Sequence, residues 1–552
     1  MPARSLAILE RLRLQFGDPG AIQQKLEALR ALEHARLRTA EQVIRFHEAL
    51  CFIRAYPDDD TILRRVERLL KNFAARIDLR AHAAALENSG IAGTATRYAF
   101  FWPTARWLAQ EWPNAMTLDR SDTVAGERIL RQLPLIVSGA EAVWVKERGT
   151  DGFAALDTLR PGRVTDATFL LRQMEELPGN AITREAFHDG IEPTYLLSPT
   201  PASPARTHAV HRVGPIVFQR TALERTRPDL RAEFARPPVS VRAVTPQRGA
   251  QIVALARAAM VTRERDLDAF AYGDPRDVRI VHDYDGLSFA LNGVQPDRRL
   301  LLPAVFGALT LRNGVPIGYV QIDLLDRTAA LSFNTFPTFR GGEAALALAR
   351  TIALTHHLFG ATSFSLEPYQ LGKGNDEGIA SGAWWFYYKL GFRPYHIEPQ
   401  RIARDELARM RVNRRHRSSP LILERLAEHP LFLNFDPRRP RGIPPIAELG
   451  LHVSKRLTQM RAADPGKSAE LPEMAAKRIG LRSFSGFSAS ERWAWGRWSA
   501  LLLSLDGLER WTAGEKRQLI EIVRAKGGRS EIEYLRRFDK HPRLGKALLG
   551  RY

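Results

Sequence analysis

Apolar residues recur at helical spacing through the first ninety residues of the chain. Between Thr61 and Phe73, the apolar stripe of an amphipathic helix consists of Ile62, Leu63, Val66, Leu69, Leu70 and Phe73. The three aspartates before it, Asp58–Asp60, offer carboxylate oxygens to the free N–H groups at the helix start. Three consecutive aspartates could also hold a metal ion, but capping explains them more simply. We therefore expect a helical region over residues 1–90.

The pattern of apolar and polar residues is mixed between residues 91 and 236. No motif of known chemistry occurs there. Short apolar runs predict strands at 142–147 (AVWVKE) and 215–222 (PIVFQRTA). The segment 196–215 is rich in Pro, Ser and Thr, which predicts a long exposed loop. Two prolines, Pro237–Pro238, precede a fresh strand-like run and mark a domain boundary. We expect a mixed α/β region here, without a defined role.

A regular order of elements begins after the two prolines. A strand-like run over 239–244 and a helical run over 246–260 are followed by a polar connection. Three strands come next, at 304–311, 316–325 and 329–336. Asn313-Gly314 joins the first two of these strands and predicts a tight hairpin, because both residues tolerate positive φ. The third strand stops before Pro337.

A glycine turn follows the third strand, with the sequence FRGGEAA at 339–345. It opens a long apolar helix closed by Gly360, a residue typical of helix C-termini. A strand at 362–368 and a polar loop at 369–381 come next. The helix after the loop contains five consecutive aromatic residues, Trp384–Tyr388. Helix, strand and helix therefore succeed one another after the three antiparallel strands.

This order of elements, over residues 239–395, resembles the GNAT superfamily of acyl-CoA-dependent N-acyltransferases. The family motif Ala-x-x-Leu/Phe-Tyr-x-Lys-x-Gly-Phe is matched by Ala383, Phe386, Tyr387, Lys389, Gly391 and Phe392. The family's glycine turn is matched less closely, because Glu343 stands where a glycine is expected. The family's closing hairpin is reduced here to FRPYHIEP, at 392–399. The resemblance implies an α+β fold around a central mixed sheet.

By this resemblance, the glycine turn binds the pyrophosphate of acetyl-CoA or another acyl-CoA, and no metal is required. Glycines let a ligand approach the backbone, and free N–H groups at a helix start bind phosphate oxygens. The expected donor-binding residues are Phe336, Phe339, Arg340, Gly341, Gly342, Glu343, Ala344, Ala345 and Lys389. The Glu343 carboxylate suits the helix dipole but competes with a phosphate. The alternative is a plain capped helix start with no ligand.

The resemblance also implies how the reaction is catalysed. The Tyr387 hydroxyl is expected to protonate the thiolate that leaves when an amine attacks the thioester. Tyr388 lies about 100° further round the helix, so only one of the two should face the cleft. A backbone N–H near Thr335 or Phe336, where two parallel strands splay apart in this fold, would polarise the thioester carbonyl. The alternative for Tyr387 is packing among the other aromatic residues.

The sequence offers three acids as candidates for the general base. They are Asp323 on the strand before 329–336, Glu367 at the end of the next strand, and Glu377 in the polar loop. Each could take a proton from the attacking amine, directly or through water. Each could equally be a solvated or salt-bridged surface group.

The net charge of +20 is concentrated towards the end of the chain. From Arg393 to Tyr552 there are 33 Lys and Arg against 18 Asp and Glu, an excess of +15. A basic surface of this kind attracts polyanions, so a tRNA or another nucleic acid is a candidate partner. The alternative is a basic solvated surface with no ligand.

The rest of the composition narrows the class of protein. The single cysteine, Cys51, excludes an internal disulfide and a multi-cysteine zinc site, and the helical pattern around it indicates a buried thiol. No apolar run reaches the roughly 18 residues of a membrane span. The N-terminal residues also lack the pattern of a secretory signal. We expect a cytoplasmic protein with no membrane association.

Together these patterns predict an α+β protein with four regions, namely a helical region (1–90), a mixed region (91–236), a GNAT-like domain (237–398) and a basic helical region (399–552). The favoured function is transfer of an acyl group, most simply acetyl, from acyl-CoA to a small-molecule or protein amine. The amine would attack directly in a ternary complex. Two alternatives remain: a transferase that uses aminoacyl-tRNA as donor, and a non-catalytic GNAT-like sensor or scaffold.

Overall fold

The computed structural model describes residues 2–212, 214–436, 442–443, 446–461 and 470–550. The chain forms two compact units. The first unit comprises Met1–Leu223, Gln251–Tyr272 and Leu311–Ile317. The second unit comprises Glu224–Ala250, Gly273–Thr310 and Gly318–Tyr552. The predicted α+β class with a mixed sheet is confirmed, and the division into four functional regions stays a prediction.

Helices fill the start of the first unit, as the apolar spacing predicts. They are α1 (Pro2–Leu12), α2 (Pro19–Glu33), α3 (Ala40–Ala55), α4 (Asp60–Lys71) and α5 (Ile77–Ala81). Asp59 caps α4, because its carboxylate accepts the Ile62 N–H at 2.8 Å. Asp58 instead pairs with Lys25 at 2.8 Å, and both side chains are buried. Cys51 is buried on α3, where burial raises the pKa of its thiol, so the prediction of a packed thiol is confirmed.

A small antiparallel sheet in the order β1-β3-β2 follows in the first unit, surrounded by helices. The elements are β1 (Thr96–Tyr98), α6 (Trp102–Glu111), β2 (Met116–Leu118), α7 (Thr123–Gln132), α8 (Gly139–Arg148), α9 (Gly152–Leu159), α10 (Asp166–Glu175), α11 (Ala181–Ile191) and β3 (Tyr195–Leu197). The strand predicted at 142–147 is wrong, because these residues lie in α8. A capping box between Ser138 and Glu141 fixes the start of that helix.

The hairpin at Asn313-Gly314 is confirmed, with φ angles of 48° and 79°. Its turn lies in the first unit, where the Asn313 side chain bonds both the N–H and the C=O of Val217 at 2.9 Å. The strand predicted at 215–222 is therefore wrong, since a side chain takes the place of a strand partner. The described residues between 198 and 215 form no helix or strand, as their composition predicts, but the expected exposure is wrong in part, because Ala205, Thr207, Ala209 and His211 are buried.

A mixed sheet, which counts nine strands over the described residues, forms the core of the second unit. Its order is β11-β12-β10-β9-β8-β7-β6-β5-β4. The strands are β4 (Ser240–Ala243), β5 (Gly273–His282), β6 (Leu287–Val294), β7 (Ala304–Arg312), β8 (Val315–Leu325), β9 (Thr328–Thr335), β10 (Ser363–Leu366), β11 (Arg393–Pro394) and β12 (Leu431–Asn434). β9 pairs antiparallel to β8 and parallel to β10, so the sheet is mixed at its centre.

The polar connection predicted after residue 260 is wrong, because this segment contains β5 and β6. The charged residues of β5 give its sequence the character of a polar connection. Asp274 and Asp277 are buried on it, and each forms an ion pair with the arginine two residues on, Arg276 or Arg279. β6 is buried over its whole length. The pairing of each acid with a local arginine lets a charged segment enter the sheet.

The remaining helices come between or after these strands along the chain, and their residues within 251–272 belong to the first unit. They are α12 (Leu230–Ala235), α13 (Pro246–Val261), α14 (Asp268–Ala271), α15 (Ala344–Phe359), α16 (Pro368–Leu371), α17 (Asp376–Ser381), α18 (Ala383–Leu390), α19 (Ile397–Val412), α20 (Pro420–Leu426), α21 (Ile446–Arg461), α22 (Leu471–Ile479), α23 (Ala489–Ser504), α24 (Ala513–Lys526), α25 (Glu531–Lys540) and α26 (Leu544–Leu549). Gly360 ends α15 with a φ of 76°, as predicted. Within the described ranges, no helix has the length and apolar character needed to cross a membrane.

The strand order also shows how the reduced closing hairpin is completed. β11 is only two residues long, and β12 lies between it and β10. Helices α19 and α20 separate β11 from β12 in the sequence. The second strand of the hairpin therefore comes from far along the chain.

Replacing Gly314 by alanine should destabilise the protein, because an added Cβ would lie 2.5 Å from the carbonyl oxygen of His211 at a φ of 79°. We expect a loss of about 3 kcal/mol in the free energy of unfolding, measured by urea denaturation. Gly360→Ala is the matched control, because its φ is 76° but nothing lies within 4 Å of the new Cβ. That variant should lose only about 1 kcal/mol. Equal losses would contradict a steric contribution from His211.

Candidate functional site

The parallel strands β9 and β10 part after a short pairing. Their register ends with Ala330 opposite Ser365. β9 nevertheless continues to Thr335, paired to β8 on its other side. Beyond Ala330, the register leaves an opening beside β9 in which β10 supplies no partner residue. The sequence resemblance implies a splay of two parallel strands near this position, and that assignment stays a prediction.

A cavity of about 240 Å³ lies at this opening. It is lined by the end of β9, the glycine turn, the start of α15 and the segment from α16 to α18. The lining residues are Phe333, Asn334, Thr335, Arg340, Ala344, Gln370, Asn375, Glu377, Gly378, Ser381, Ala383, Phe386 and Tyr387. The cavity therefore brings together residues of both sequence motifs, the glycine turn and the aromatic helix.

Tyr387 lies on the wall of the cavity, on the buried side of α18. Its hydroxyl oxygen accepts a hydrogen bond from Gln370 Nε2 at 2.7 Å, and its hydroxyl donates to the Phe333 carbonyl oxygen at 3.3 Å. Burial raises the pKa of Tyr387, so the hydroxyl stays protonated at neutral pH. Tyr388 instead stacks on Trp384 with ring centroids 5.0 Å apart. Of the two tyrosines, only Tyr387 lines the cavity, as the helix geometry predicts.

The backbone of β9 directs two N–H groups into the opening. In a strand, the N–H and C=O of one residue point to the same side. The Phe333 carbonyl accepts from Gln370 Nε2 at 2.6 Å, and the Thr335 carbonyl accepts from Arg340 Nε at 3.1 Å. Both donors belong to the cavity wall. The N–H groups of Phe333 and Thr335 therefore face the cavity, and Thr335 is one of the two positions expected to polarise a carbonyl.

The glycine turn forms an open entrance to α15. A Cβ added at Gly341 would meet nothing within 4 Å, so a ligand can approach the backbone there. The helix begins after Glu343, and no side chain caps its first N–H groups. A long helix with an uncapped start offers free donors and a positive dipole end to an anion. Phe336 and Phe339, two of the expected donor-binding residues, are buried away from the cavity beneath this turn.

Arg340 and Glu377 form an ion pair at the cavity. Each side chain is 37% exposed. Arg340 also bonds the end of β9 through the Thr335 carbonyl. The pair therefore joins the glycine turn to α17 across one side of the cavity, with a cation and a carboxylate both available to a ligand.

The other expected site residues that lie outside the cavity lining are Gly341, Gly342, Glu343, Ala345, Glu367, Asp323 and Lys389. Glu367 is exposed after β10 and accepts a hydrogen bond from Ser365 Oγ at 3.4 Å. Asp323 stands opposite Ala330 in the sheet register, about 16 Å along β9 from the cavity end. Lys389 is exposed on α18. Of the three acids proposed as bases, Glu377 alone lines the cavity.

Sequence reasoning missed the polar residues that complete the wall. Gln370 bonds both the Tyr387 hydroxyl and the Phe333 carbonyl, while Asn334, Asn375 and Ser381 add further polar groups. A polar loop before the motif helix was the only signal that pointed to them. No local pattern distinguishes Gln370 from its polar neighbours, because its partners lie on another strand and another helix.

We compared the chain with protein-family models, curated proteins and solved structures, and none of the three comparisons gave a match. The function is therefore argued from the cavity and its residues.

Replacing Gln370 by alanine should destabilise the fold, because the Phe333 carbonyl and the Tyr387 hydroxyl would each lose a buried hydrogen bond. We expect a loss of about 1–3 kcal/mol in the free energy of unfolding by urea denaturation. Gln23→Ala is the control, since Gln23 bonds only the exposed Glu27 one helical turn away. It should lose less than about 0.5 kcal/mol. A Gln370 variant as stable as this control would show that the wall does not depend on Gln370.

Proposed function

We propose that this protein is an N-acyltransferase that moves an acyl group, most simply acetyl, from acyl-CoA to an amine. One observation carries the proposal. The Tyr387 hydroxyl, the Thr335 N–H and the uncapped start of α15 converge on a single cavity where β9 parts from β10. The GNAT-like motif around Tyr387 and the glycine turn supports the same assignment.

The donor would bind with its pyrophosphate at the glycine turn. The N–H groups of Gly341, Ala344 and Ala345 would donate hydrogen bonds to the phosphate oxygens, beside the positive end of α15. Arg340 would add its guanidinium beside these N–H groups. For this, its ion pair with Glu377 is replaced by an ion pair with a phosphate. The Glu343 carboxylate repels a phosphate. We therefore expect the phosphate to lie towards Gly341, away from this carboxylate.

The acyl thioester would then reach the opening beside β9. The amine nitrogen attacks the carbonyl carbon, a C–N bond forms, and the negative charge that develops on the carbonyl oxygen is stabilised by the Thr335 N–H. The C–S bond breaks as the intermediate collapses. Tyr387 gives its proton to the leaving sulfur; burial keeps the hydroxyl protonated until that step, although it also makes the proton harder to release.

The proton lost by the amine needs an acceptor on the cavity side. Glu377 is the acid placed for this role among those named from the sequence, because it lines the cavity. Its ion pair with Arg340 would have to open as the donor binds. The proton can return to Tyr387 through water once the thiol has left, which restores the enzyme for the next cycle.

Donor binding is the first test. Acetyl-CoA at about 100 times its Kd should stabilise the protein by about 2.7 kcal/mol, and a thermal melt should show a clear rise in Tm. A Tm that rises with aminoacyl-tRNA but not with acetyl-CoA would replace the proposal by the tRNA-dependent transferase. If neither donor changes Tm, the non-catalytic sensor or scaffold is favoured.

Tyr387→Phe should lower kcat roughly 10²–10⁴-fold, because the leaving thiolate loses its proton donor. The Kd for CoA, measured by calorimetry, should stay within about threefold, since the pyrophosphate contacts are unchanged. Tyr388→Phe is the matched control and should keep normal turnover, because its ring stacks on Trp384 outside the cavity. Unchanged turnover in Tyr387→Phe would remove the proposed acid.

A further inference from the structure

A strongly basic surface of the second unit lies on α19 and the loop that follows it. Residues 401–417 contain seven arginines but only two acids, Asp405 and Glu406. We call this segment the arginine surface. The exposed arginines on it are Arg401, Arg404, Arg409, Arg411, Arg414, Arg415 and Arg417.

Most of this charge is not neutralised within the protein. Over the described part of the chain, Arg401, Arg404, Arg411, Arg414 and Arg415 form no ion pair. Three of them recur at helical spacing on the solvent face of α19, over about 15 Å. The next two continue the row into the loop. A row of unpaired guanidinium groups is complementary to a polyanion whose negative charges recur along its length.

The loop is held in place, which distinguishes it from a freely solvated charge run. Glu406 is buried and accepts hydrogen bonds from His416 Nε2 at 2.9 Å and from Ser418 Oγ at 2.6 Å. Burial opposes its ionisation, but these hydrogen bonds prevail and hold the pKa of Glu406 below its ordinary value. Arg417 donates to the Arg414 carbonyl at 3.1 Å, which further orders the loop. The backbone of the loop that carries these arginines is therefore held by hydrogen bonds.

The arginine surface is also fixed to the helix that carries Tyr387. Trp385 Nε1 on α18 donates to Ser418 Oγ at 2.9 Å, and Ser418 in turn bonds the buried Glu406. A chain of hydrogen bonds thus runs from α18 to the end of the arginine-bearing loop. A partner bound to the arginine surface would lie beside the wall of the cavity.

We propose that the arginine surface binds the phosphodiester backbone of single-stranded RNA. Arginine is suited to phosphate through its planar fork and to unpaired bases through stacking. Tyr395, 53% exposed just before α19 and in T-shaped contact with Phe432, places an aromatic ring at this end of the surface. A duplex offers no unpaired base to such a ring.

The apolar residues of α19 argue against a membrane as the partner. Ile397 and Val412 are 84% and 92% exposed, but they stand at opposite ends of the helix, about 22 Å apart. The arginines lie between them, and the apolar face of α19, with Ile402 and Ala403, is buried in the protein. No continuous apolar face is left on this helix to enter a bilayer.

The test is fluorescence anisotropy with a labelled oligouridine RNA of about 20 nucleotides, measured between about 50 and 200 mM salt. The triple variant R411S/R414S/R415S should bind at least about tenfold more weakly, and the slope of log K against log salt should fall by about 2. The matched control, R11S/R30S/R148S, removes the same charge from exposed sites in the first unit and should bind normally. Both variants should melt at the wild-type temperature.

Three results would overturn the proposal: no RNA binding at low salt, equal weakening in both triple variants, or tighter binding to duplex DNA of the same length. Binding to vesicles that contain phosphatidylserine is measured as a further test. Binding to these vesicles without binding to RNA would assign the surface to a membrane instead. No acyl donor is present in these assays, so their outcome is independent of the proposed transferase activity.

Discussion

Strand β9 leaves its parallel partner β10 after Ala330, and its backbone groups beyond that point need other partners. An unpaired carbonyl inside a sheet costs free energy comparable to a lost hydrogen bond. Gln370 and Tyr387 satisfy the Phe333 carbonyl, and Arg340 satisfies the Thr335 carbonyl. The side chains that would act on a ligand are therefore the same ones that stabilise this edge of β9. The wall of the cavity is therefore held by contacts within the fold itself.

Local signals in the sequence predicted the elements that frame this edge. Asn313-Gly314 determines its hairpin through the φ angles that its own residues tolerate, and Gly360 ends its helix in the same way. Strands β5 and β12 were missed for a different reason. The charged residues of β5 are buried through ion pairs, and β12 joins the sheet after two intervening helices. Both depend on contacts distant in sequence, which periodicity does not report.

The candidate site shows the same difference between features set by local sequence and features set by distant contacts. The spacing around Tyr387 identified one cavity residue, and helix geometry separated it from Tyr388. The three acids looked equivalent in the sequence, because each follows or lies on a strand of the same predicted sheet. Sheet register separates them: Asp323 stands opposite Ala330, far along β9, while Glu377 returns to the cavity on α17. The contacts of Gln370 likewise exist only in the folded chain.

Helix α18 connects the cavity with the arginine surface. Trp385 and Tyr387 are two positions apart, so they project to nearly opposite sides of the helix. One side bonds Ser418 beside the arginines, and the other lines the cavity. The two surfaces are thus separated by roughly one helix diameter, about 10 Å, a distance that a few nucleotides of extended strand can span.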